Sequence, residues 1–237
     1  MPGILRDILA ASQRVAFFGG AGVSTASGIP DYRSKGGLYA QQNQRTPEEM
    51  LSRTFFNEHT QEFYDFYRTN LLHLDAEPND AHYALAELEK QGKLTAVITQ
   101  NVDGLHQKAG SVKVCELHGS VWRNFCMSCN APYDVRDIAK AKDIPRCDCG
   151  GIVKPDVVLY EEPLDERTMS DAVAAIAAAD TLIVGGTSLA VYPAAGMVRY
   201  FTGDHLVLIN QTPTPYDEHA DLIVRDPIDK VLREAVG

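Results

Sequence analysis

The stretch VAFFGGAGVS at residues 15–24 joins four apolar residues to a glycine-rich turn. A short apolar run of this kind is typical of a buried strand in a parallel sheet. In the turn that follows, backbone N–H groups can approach a phosphate closely where a helix begins. Gly20 and Gly22 fit the first two glycines of the dinucleotide-binding fingerprint, but Thr25 occupies the position of the third. The pattern therefore suits either a nucleotide-binding turn or a plain turn that closes a strand–helix unit.

Four further apolar runs repeat the strand pattern along the chain. They are Ala96 to Thr99, Leu182 to Val184, Leu206 to Ile209 and Leu222 to Val224. Helical patterns lie between some of them, at residues 81–91, 171–179 and 227–236. Because strands alternate with helices, the sequence predicts an α/β fold with a doubly wound, Rossmann-like parallel sheet.

Two segments interrupt this alternation. Residues 35–79 are polar and aromatic, with helical stretches near residues 47–51 and 58–74, and residues 119–155 contain four of the five cysteines. We predict that these two segments form a smaller inserted domain, a helical segment plus a zinc ribbon. The Rossmann-like domain is then predicted to comprise residues 1–34, 80–118 and 156–237.

Composition and charge narrow the class of protein. The chain has 237 residues, of which 45% are hydrophobic and 23% charged, which suits one large domain with an insertion. Its formal net charge of −10 argues against nucleic-acid binding, which needs a basic surface, and would tolerate basic peptides. The first ten residues lack the apolar core of a signal peptide, and no run approaches the roughly 20 apolar residues that span a bilayer. We expect a cytoplasmic protein that does not bind membranes.

Five short motifs carry a resemblance to a known family. The residues that follow the first strand read GAGVSTASGIPDYRS at positions 20–34. Further motifs are TQNVDGLH at 99–106, ELHGS at 116–120, GTSL at 186–189 with Val191 and Pro193, and LIN at 208–210. Together they resemble the motifs of the sirtuin family, in the family's order, from about residue 15 to about residue 228. One departure is Tyr32, where the family more often has phenylalanine; the aromatic ring is kept.

The resemblance implies an NAD-dependent protein-lysine deacetylase. In the family's reaction the acyl oxygen attacks the nicotinamide ribose of NAD and nicotinamide leaves. A histidine then helps to deprotonate the ribose 2′-hydroxyl, and the products are free lysine and 2′-O-acyl-ADP-ribose. The expected substrates are acetyl-lysine-containing proteins or peptides.

The same resemblance assigns the catalytic residues. His118 matches the family's general base, and a histidine pKa near 6.5 suits that role. Asn101 and Asp103 match the polar pair that orients the ribose hydroxyls and the nicotinamide amide. Without the flanking motifs, Asn-x-Asp after a strand would indicate a turn or a helix cap. His106 matches a family position too, and we expect it to be structural.

The predicted NAD contacts come from all five motifs. Arg33 is expected to position NAD or to reach its phosphates, Gln100 to bond a ribose hydroxyl, and Asn210 to meet the adenosine ribose. Ser and Thr in such turns also serve as helix N-caps, which is the alternative for the 186–189 motif. The full predicted set is Gly20, Ala21, Gly22, Ser24, Thr25, Asp31, Tyr32, Arg33, Gln100, Asn101, Val102, Asp103, His118, Gly186, Thr187, Ser188, Asn210 and Ile228.

Four cysteines have the spacing of a metal site. Cys126 and Cys129 form a Cys-x-x-Cys pair, and Cys147 and Cys149 follow 17 residues later as Cys-x-Cys. Four thiolates without an open position indicate one structural zinc ion rather than a hydrolytic centre. The second pair is one residue shorter than usual, and the alternative is a degenerate site that holds little metal. The fifth cysteine, Cys115, suits a small buried strand residue.

The segment that follows the cysteines resembles the family's peptide-binding strand. It includes Val157, Val158, Leu159 and Tyr160, and the opposite edge would be residues 186–192 with Val191. Strand addition takes affinity from main-chain bonds, so we expect loose sequence selectivity. Tyr32 is expected to contact the acyl group as well. The alternative for residues 157–159 is a plain core strand.

Acyl preference follows from one helix. Family members that remove succinyl or malonyl groups carry a Tyr-x-x-Arg pair, but aligning Tyr64 with that tyrosine places Tyr67 at the fourth position. Arg68 is one residue late, which rotates it about 100° around a helix. We therefore expect neutral acyl groups to be preferred.

Other functions remain open on the sequence alone. Mono-ADP-ribosyltransfer within the same family would use the same NAD site. An NAD-dependent dehydrogenase with a structural zinc would share the glycine turn but leave nicotinamide intact. A zinc-ribbon module that binds nucleic acid would need a basic face, which the sequence does not have.

Overall fold

The computed structural model of the chain describes residues 2–31, 37 and 45–237. Its strands, in chain order, are β1 (Val15–Gly19), β2 (Leu94–Thr99), β3 (Val114–Glu116), β4 (Gly119–Cys126), β5 (Pro132–Tyr133), β6 (Val153–Val157), β7 (Thr181–Gly185), β8 (His205–Ile209) and β9 (Leu222–Val224). Its α-helices are α1 (Pro2–Ala11), α2 (Pro47–Met50), α3 (Arg53–Glu58), α4 (Thr60–Asn70), α5 (Asp80–Lys90), α6 (Leu105–Lys108), α7 (Val135–Lys140), α8 (Glu166–Ala178) and α9 (Ile228–Val236).

Six strands form one parallel sheet in the order β3-β2-β1-β7-β8-β9. The chain builds the sheet outward from β1 in one direction and then returns to lay β7 against its other side. The strand order therefore reverses between β1 and β7. In open α/β sheets, ligands bind beyond the carboxyl ends of the strands at this switch point. The predicted doubly wound, Rossmann-like sheet is present.

Alternating residues of the central strands fill two cores on opposite faces of the sheet. Phe17 and Val97 face a core that is closed by α1, α5 and α9. Phe18 and Ile98 face the other core, which is closed by α8 and the 3₁₀ helix Ala194–Tyr200. Because both faces are covered, these strands are apolar throughout rather than alternating.

A third core lies outside the parallel sheet. It joins the aromatic side chains of α3 and α4 to the antiparallel sheet β5-β4-β6, whose strand β4 ends at Cys126. This core supports the predicted inserted domain of residues 35–79 and 119–155. However, β6 runs across the predicted boundary at residue 155, so the boundaries stay a prediction.

Several elements differ from the sequence-based expectation. The amphipathic helix α1 was not predicted, although Leu5 and Leu9 bury its apolar face. Helix α8 begins at Glu166 rather than at residue 171, because the Asp165 side chain accepts a hydrogen bond from the Thr168 N–H and caps the helix. The helical stretch predicted for residues 58–74 is broken at His59 and ends at Asn70.

The glycine turn also differs. We expected it to lead into a helix, but β1 is followed by two three-residue 3₁₀ helices, Ala21–Val23 and Thr25–Ser27.

Within the part of the chain that the structure describes, no helix has the length and apolar character needed to cross a membrane.

Candidate active site at the sheet switch point

A cavity of about 590 Å³ opens at the carboxyl ends of β1, β2 and β7. Its walls are the glycine turn, residues 100–103, His118, residues 157–162 and residues 186–193. The cavity therefore lies where the fold predicts a nucleotide site.

Every predicted NAD or peptide contact among the described residues lines this one cavity. The set is Gly20, Ala21, Gly22, Ser24, Thr25, Asp31, Gln100, Asn101, Val102, Asp103, His118, Val157, Val158, Leu159, Tyr160, Gly186, Thr187, Ser188, Val191, Asn210 and Ile228. Tyr32 and Arg33 lie outside the described residues. The assigned roles remain predictions, but seven segments that lie far apart in the sequence line the same cavity.

The glycine turn packs against the turn after β7 without room for side chains. A Cβ atom on Gly20 would lie 2.8 Å from the Thr187 Cβ, and one on Gly22 would lie 2.8 Å from the Gly186 Cα. The Gly22 N–H donates to the Gly186 carbonyl at 2.8 Å. Gly186 has φ +59°, which a side chain would strain. The two turns thus form a smooth backbone floor that suits close approach of a nucleotide.

A hydrogen-bonded cluster holds the predicted polar pair. The Ser24 hydroxyl donates to an Asp103 carboxylate oxygen at 2.6 Å and accepts from the Asn101 amide at 3.0 Å. The other Asp103 oxygen accepts from the N–H of Leu105, the first residue of α6, at 2.9 Å. The turn interaction that the sequence offered as an alternative is therefore present at Asp103, and its role in orienting a ribose stays a prediction.

The pKa of Asp103 is raised, chiefly because burial penalises its charged form. The hydrogen bonds from Ser24 and Leu105 oppose this rise by stabilising the carboxylate. The hydroxyl of Ser24 therefore keeps the carboxylate available as an acceptor.

His118 lines the cavity, and the described residues give its ring one hydrogen bond, which is made by Nδ1. Its Nδ1 lies 2.9 Å from the Gln100 carbonyl oxygen, which can only accept, so Nδ1 carries the proton. This assignment leaves Nε2 with a lone pair. Burial lowers the pKa of His118, and the bond to Gln100 offsets part of that effect. The neutral imidazole that a general base requires is thus favoured at neutral pH.

Gln100 connects His118 to the floor of the cavity. Its side-chain amide donates to the Thr187 hydroxyl at 3.0 Å, while its own N–H donates to the Gly19 carbonyl at 3.0 Å. Farther along the cavity, the Asn210 amide donates to the Thr212 carbonyl at 2.8 Å. Asn210 is therefore held at the end of β8, where a ribose contact was expected.

The cavity also includes residues that the sequence analysis did not select. Gln211, Thr212 and Asp226 follow strand ends, so the rule on carboxyl ends of parallel strands would have found them. Others come from the end of α4 and from its vicinity, where no sequence signal marks them: Asn70, Leu71 and His73.

Two other predicted residues lie away from the cavity walls. His106 is 1% exposed, and its ring packs against His82 with ring centroids 4.7 Å apart, as expected of a structural residue. Arg68 donates from Nε to the Ile138 carbonyl at 3.0 Å and from Nη2 to the Asp143 carbonyl. The Arg68 guanidinium is therefore bonded within the small domain and does not face the cavity.

The four cysteine sulfurs lie within 4.8 Å of one another. The Cys126–Cys149 and Cys129–Cys147 sulfur pairs are each 3.5 Å apart. Tetrahedral zinc with bonds of about 2.3 Å would hold thiolates roughly 3.8 Å apart, so the set fits a zinc ion.

The short Cys-x-Cys pair is accommodated by its glycines. Gly150 has φ +86°, and a Cβ on Gly151 would lie 2.7 Å from the Cys126 sulfur. These two glycines let the second pair turn back onto the first, so the shortened spacing still brings four ligands together.

Comparison with known proteins agrees with this geometry. A family model described as the Sir2 family matches residues 20–193. An NAD-dependent protein deacetylase from Clostridium acetobutylicum is 57% identical over 98% of this chain and 96% of its own length.

Two solved structures have the same fold. One holds a Sir2 histidine-to-alanine variant with a deacetylated p53 peptide and 3′-O-acetyl-ADP-ribose; it has a TM-score of 0.90 and 36% identity, and the match covers 99% of each chain. The other holds Sir2 with an inhibitor, 2′-O-acetyl-ADP-ribose and a deacetylated p53 peptide; it has a TM-score of 0.85 and 38% identity, over 98% of this chain and 96% of that chain. The chain therefore belongs to the Sir2 family.

Proposed function

We propose that this chain is an NAD-dependent protein-lysine deacetylase that releases nicotinamide and 2′-O-acetyl-ADP-ribose. The observation that carries the proposal is the orientation of His118: its Nδ1–H bonds to the Gln100 carbonyl, and Nε2 has no partner among the described residues, in a cavity that Asn101, Asp103 and two glycine turns also line. The deacetylase names of the relatives and the acetyl-ADP-ribose in the related structures support it.

The residues of the cavity fit NAD as a co-substrate. The floor of Gly20, Gly22 and Gly186 leaves backbone rather than side chains facing the cavity, as a pyrophosphate requires. Asp103 and Asn101 offer an acceptor and an amide for ribose hydroxyls and for a carboxamide. NAD, when bound, supplies the ribose carbon that takes up the acyl oxygen as nicotinamide leaves.

The protein's own contribution is orientation and one proton transfer. Gln100 fixes the His118 ring through the Nδ1–H bond, so that Nε2 is the nitrogen that accepts the proton of a ribose hydroxyl. Ser24 holds Asn101 and Asp103 in one orientation. Among the described residues, the one group that fits a metal ion consists of four cysteines in the ribbon, which leave no open position on the ion for a reacting water.

The peptide is proposed to lie as an added strand between residues 157–160 and residues 186–192. Three N–H groups of the first segment are already used inside the protein: Val158 donates to His118, Leu159 to Glu162, and Tyr160 to Leu51. The Leu159 and Tyr160 carbonyl groups already accept from the N–H groups of Glu162 and Arg53, so a peptide strand would use the second lone pair of these carbonyls, the Val158 carbonyl and the backbone of the opposite edge. Tyr192 on that edge is 70% exposed and stands at the mouth of the cavity.

We also propose that neutral acyl groups are preferred. Tyr67 is fully buried, and Arg68 bonds to carbonyl groups of the small domain. An acyl carboxylate in the channel would lack the cationic partner that offsets its desolvation. Acetyl and other neutral acyl groups avoid this cost.

Mass spectrometry of the NAD products with an acetyl-lysine peptide tests the proposed function. One nicotinamide and one 2′-O-acetyl-ADP-ribose are expected for each lysine freed. Deacetylation that proceeds equally well without NAD would refute the proposal. An ADP-ribosylated peptide without loss of acetyl groups would show transferase activity instead.

A further inference from the structure

Strand β4 contains an irregularity beside the candidate active site. Its pairing with β6 runs from Ser120 opposite Asp156 directly to Asn124 opposite Pro155. Residues 121–123 therefore have no partner on β6. Such bulges bend a strand and redirect its side chains, and they are common next to active sites.

The bulged residues turn instead toward the loop that holds the polar pair. The Val121 N–H donates to the Val102 carbonyl at 3.0 Å. The indole Nε1–H of Trp122 donates to the Asp103 carbonyl at 2.7 Å. Two consecutive residues of the small antiparallel sheet thus hold the backbone of residues 102 and 103.

The indole ring also lies across the next residue of the loop. Gly104 has φ +74°, and a Cβ atom there would lie 2.8 Å from both Cδ1 and Nε1 of Trp122. The ring therefore packs directly on the turn by which the chain passes from Asp103 into α6. The backbone of Asp103 is held on its carbonyl side, while its carboxylate bonds to Ser24 and to the Leu105 N–H.

We propose that Trp122 is a positioning residue of the NAD site, which sets the direction of the Asp103 carboxylate by holding the Asp103 carbonyl and the Gly104 turn. Trp122 is not among the residues that line the cavity, so it acts through Asp103 rather than on the substrate. The inference rests on the proposed NAD-dependent function, because it concerns the residue that orients the ribose.

A purely structural role does not account for this placement. Trp122 is 38% exposed, so its ring contributes less to the core than a buried tryptophan would. The bulge itself is fastened by the next residue: Arg123 bonds to Asp156 at 2.7 Å and to Glu116 at 2.6 Å. The strand is therefore held in place without the indole, and the indole N–H is left to bond to the catalytic loop.

The test separates the N–H group from the ring. Replacing Trp122 with 3-benzothienylalanine keeps the shape and removes only the donor, whereas Trp122→Phe keeps a smaller ring. Tyr83→Phe, at an exposed aromatic residue on α5, serves as a control for loss of a surface polar group. Steady-state kinetics are measured against NAD and, separately, against an acetyl-lysine peptide, together with thermal melts.

For both Trp122 variants we expect kcat/KM for NAD to fall roughly three- to tenfold, as loss of one hydrogen bond implies. The KM for the peptide and the melting temperature should stay close to those of the parent. Unchanged NAD kinetics in the benzothienylalanine variant would overturn the inference. A KM for the peptide that rises as much as the KM for NAD would overturn it as well. Nicotinamide release by the parent tests the proposed function separately: an inactive parent refutes that function and this inference together, and an active parent with an unaffected variant refutes the inference alone.

Discussion

Ser24→Ala is the most direct test of the hydrogen-bonded cluster at the candidate active site. Ser24 is 1% exposed, and its hydroxyl is the only link between the Asn101 amide and the Asp103 carboxylate recorded among the described residues. Alanine leaves both groups without that partner and offers no replacement. We therefore expect NAD turnover to suffer more than stability does.

The magnitude follows from the two lost bonds. A bond to a charged group contributes about 1.5–3 kcal/mol and a neutral one about 0.5–1.5 kcal/mol, so the loss is about 2–4.5 kcal/mol. If that loss falls on the transition state, kcat/KM for NAD decreases roughly 30- to 2000-fold. Loss of the Ser24 bond also removes one of the effects that lower the pKa of Asp103. That pKa should rise further, so activity should be lost at a higher pH on acidification than in the parent.

The assay is the initial rate of nicotinamide release against NAD concentration, repeated over the neutral and mildly acidic range. Ser27→Ala is the matched control, because Ser27 lies on the same loop and, among the described residues, its hydroxyl bonds to the Asn79 amide at 2.9 Å rather than to the polar pair. Ser24→Ala within about threefold of the parent would mean that the cluster contributes less than one ordinary hydrogen bond, and the reasoning would fail. It would also fail if Ser27→Ala caused an equal loss.

Three further outcomes are expected. His118→Ala should lower kcat by about 10²–10⁴-fold, while calorimetry still detects NAD binding. In the parent, the acid limb of the pH–rate profile should lie below the pKa of an unperturbed histidine, because burial lowers the pKa of His118. A kcat of the variant within about threefold of the parent would reject His118 as the base. Cys149→Ser should lower zinc content and melting temperature together, since binding energy at such a site is folding energy; a folded, zinc-free protein with the parent's melting temperature would contradict this. The parent should show a higher kcat/KM on an acetyl peptide than on the matched succinyl peptide, because neither Tyr67 nor Arg68 is among the cavity-lining residues; a parent that prefers succinyl would show that our alignment of α4 is wrong.

The parallel sheet was predictable because its strands carry their own signal. Five of the six strands contain an apolar run because both faces of the sheet are covered, and these predicted strands differ from the observed ones by at most two residues at either end. The edge strand β3 is short, half-buried and ends in Glu116, so it has no such run and was not predicted. Helix α1 and the start of α8 were not predicted, for different reasons. The first ten residues were tested for a targeting signal and not for an amphipathic helix. Helix α8 begins with polar residues, whose helical state depends on the Asp165 cap.

The candidate site was predicted largely from motifs, and its contacts were not. Motif positions indicated that Ser24, Asn101 and Asp103 belong to one site, but not that a single hydroxyl joins them. The Gln100 group that fixes the tautomer of His118 is its backbone carbonyl. Every residue has such a carbonyl, so the residue type at position 100 does not reveal this contact. The place of Asn70, Leu71 and His73 in the cavity wall could not be predicted, because it depends on how α4 packs on the small sheet.

Strand β4 shows why the small domain and the active site cannot be treated as independent. It begins immediately after His118, bulges at Trp122 onto the Asp103 loop, and ends at the metal ligand Cys126. The strand is only eight residues long, so a change in backbone direction at its metal-binding end has few residues over which to relax before it reaches His118. The metal site is closed to substrate by its four thiolates, yet it fixes one end of the strand that we propose positions Asp103. Loss of the metal should therefore reduce NAD turnover even under conditions in which the parallel sheet stays folded.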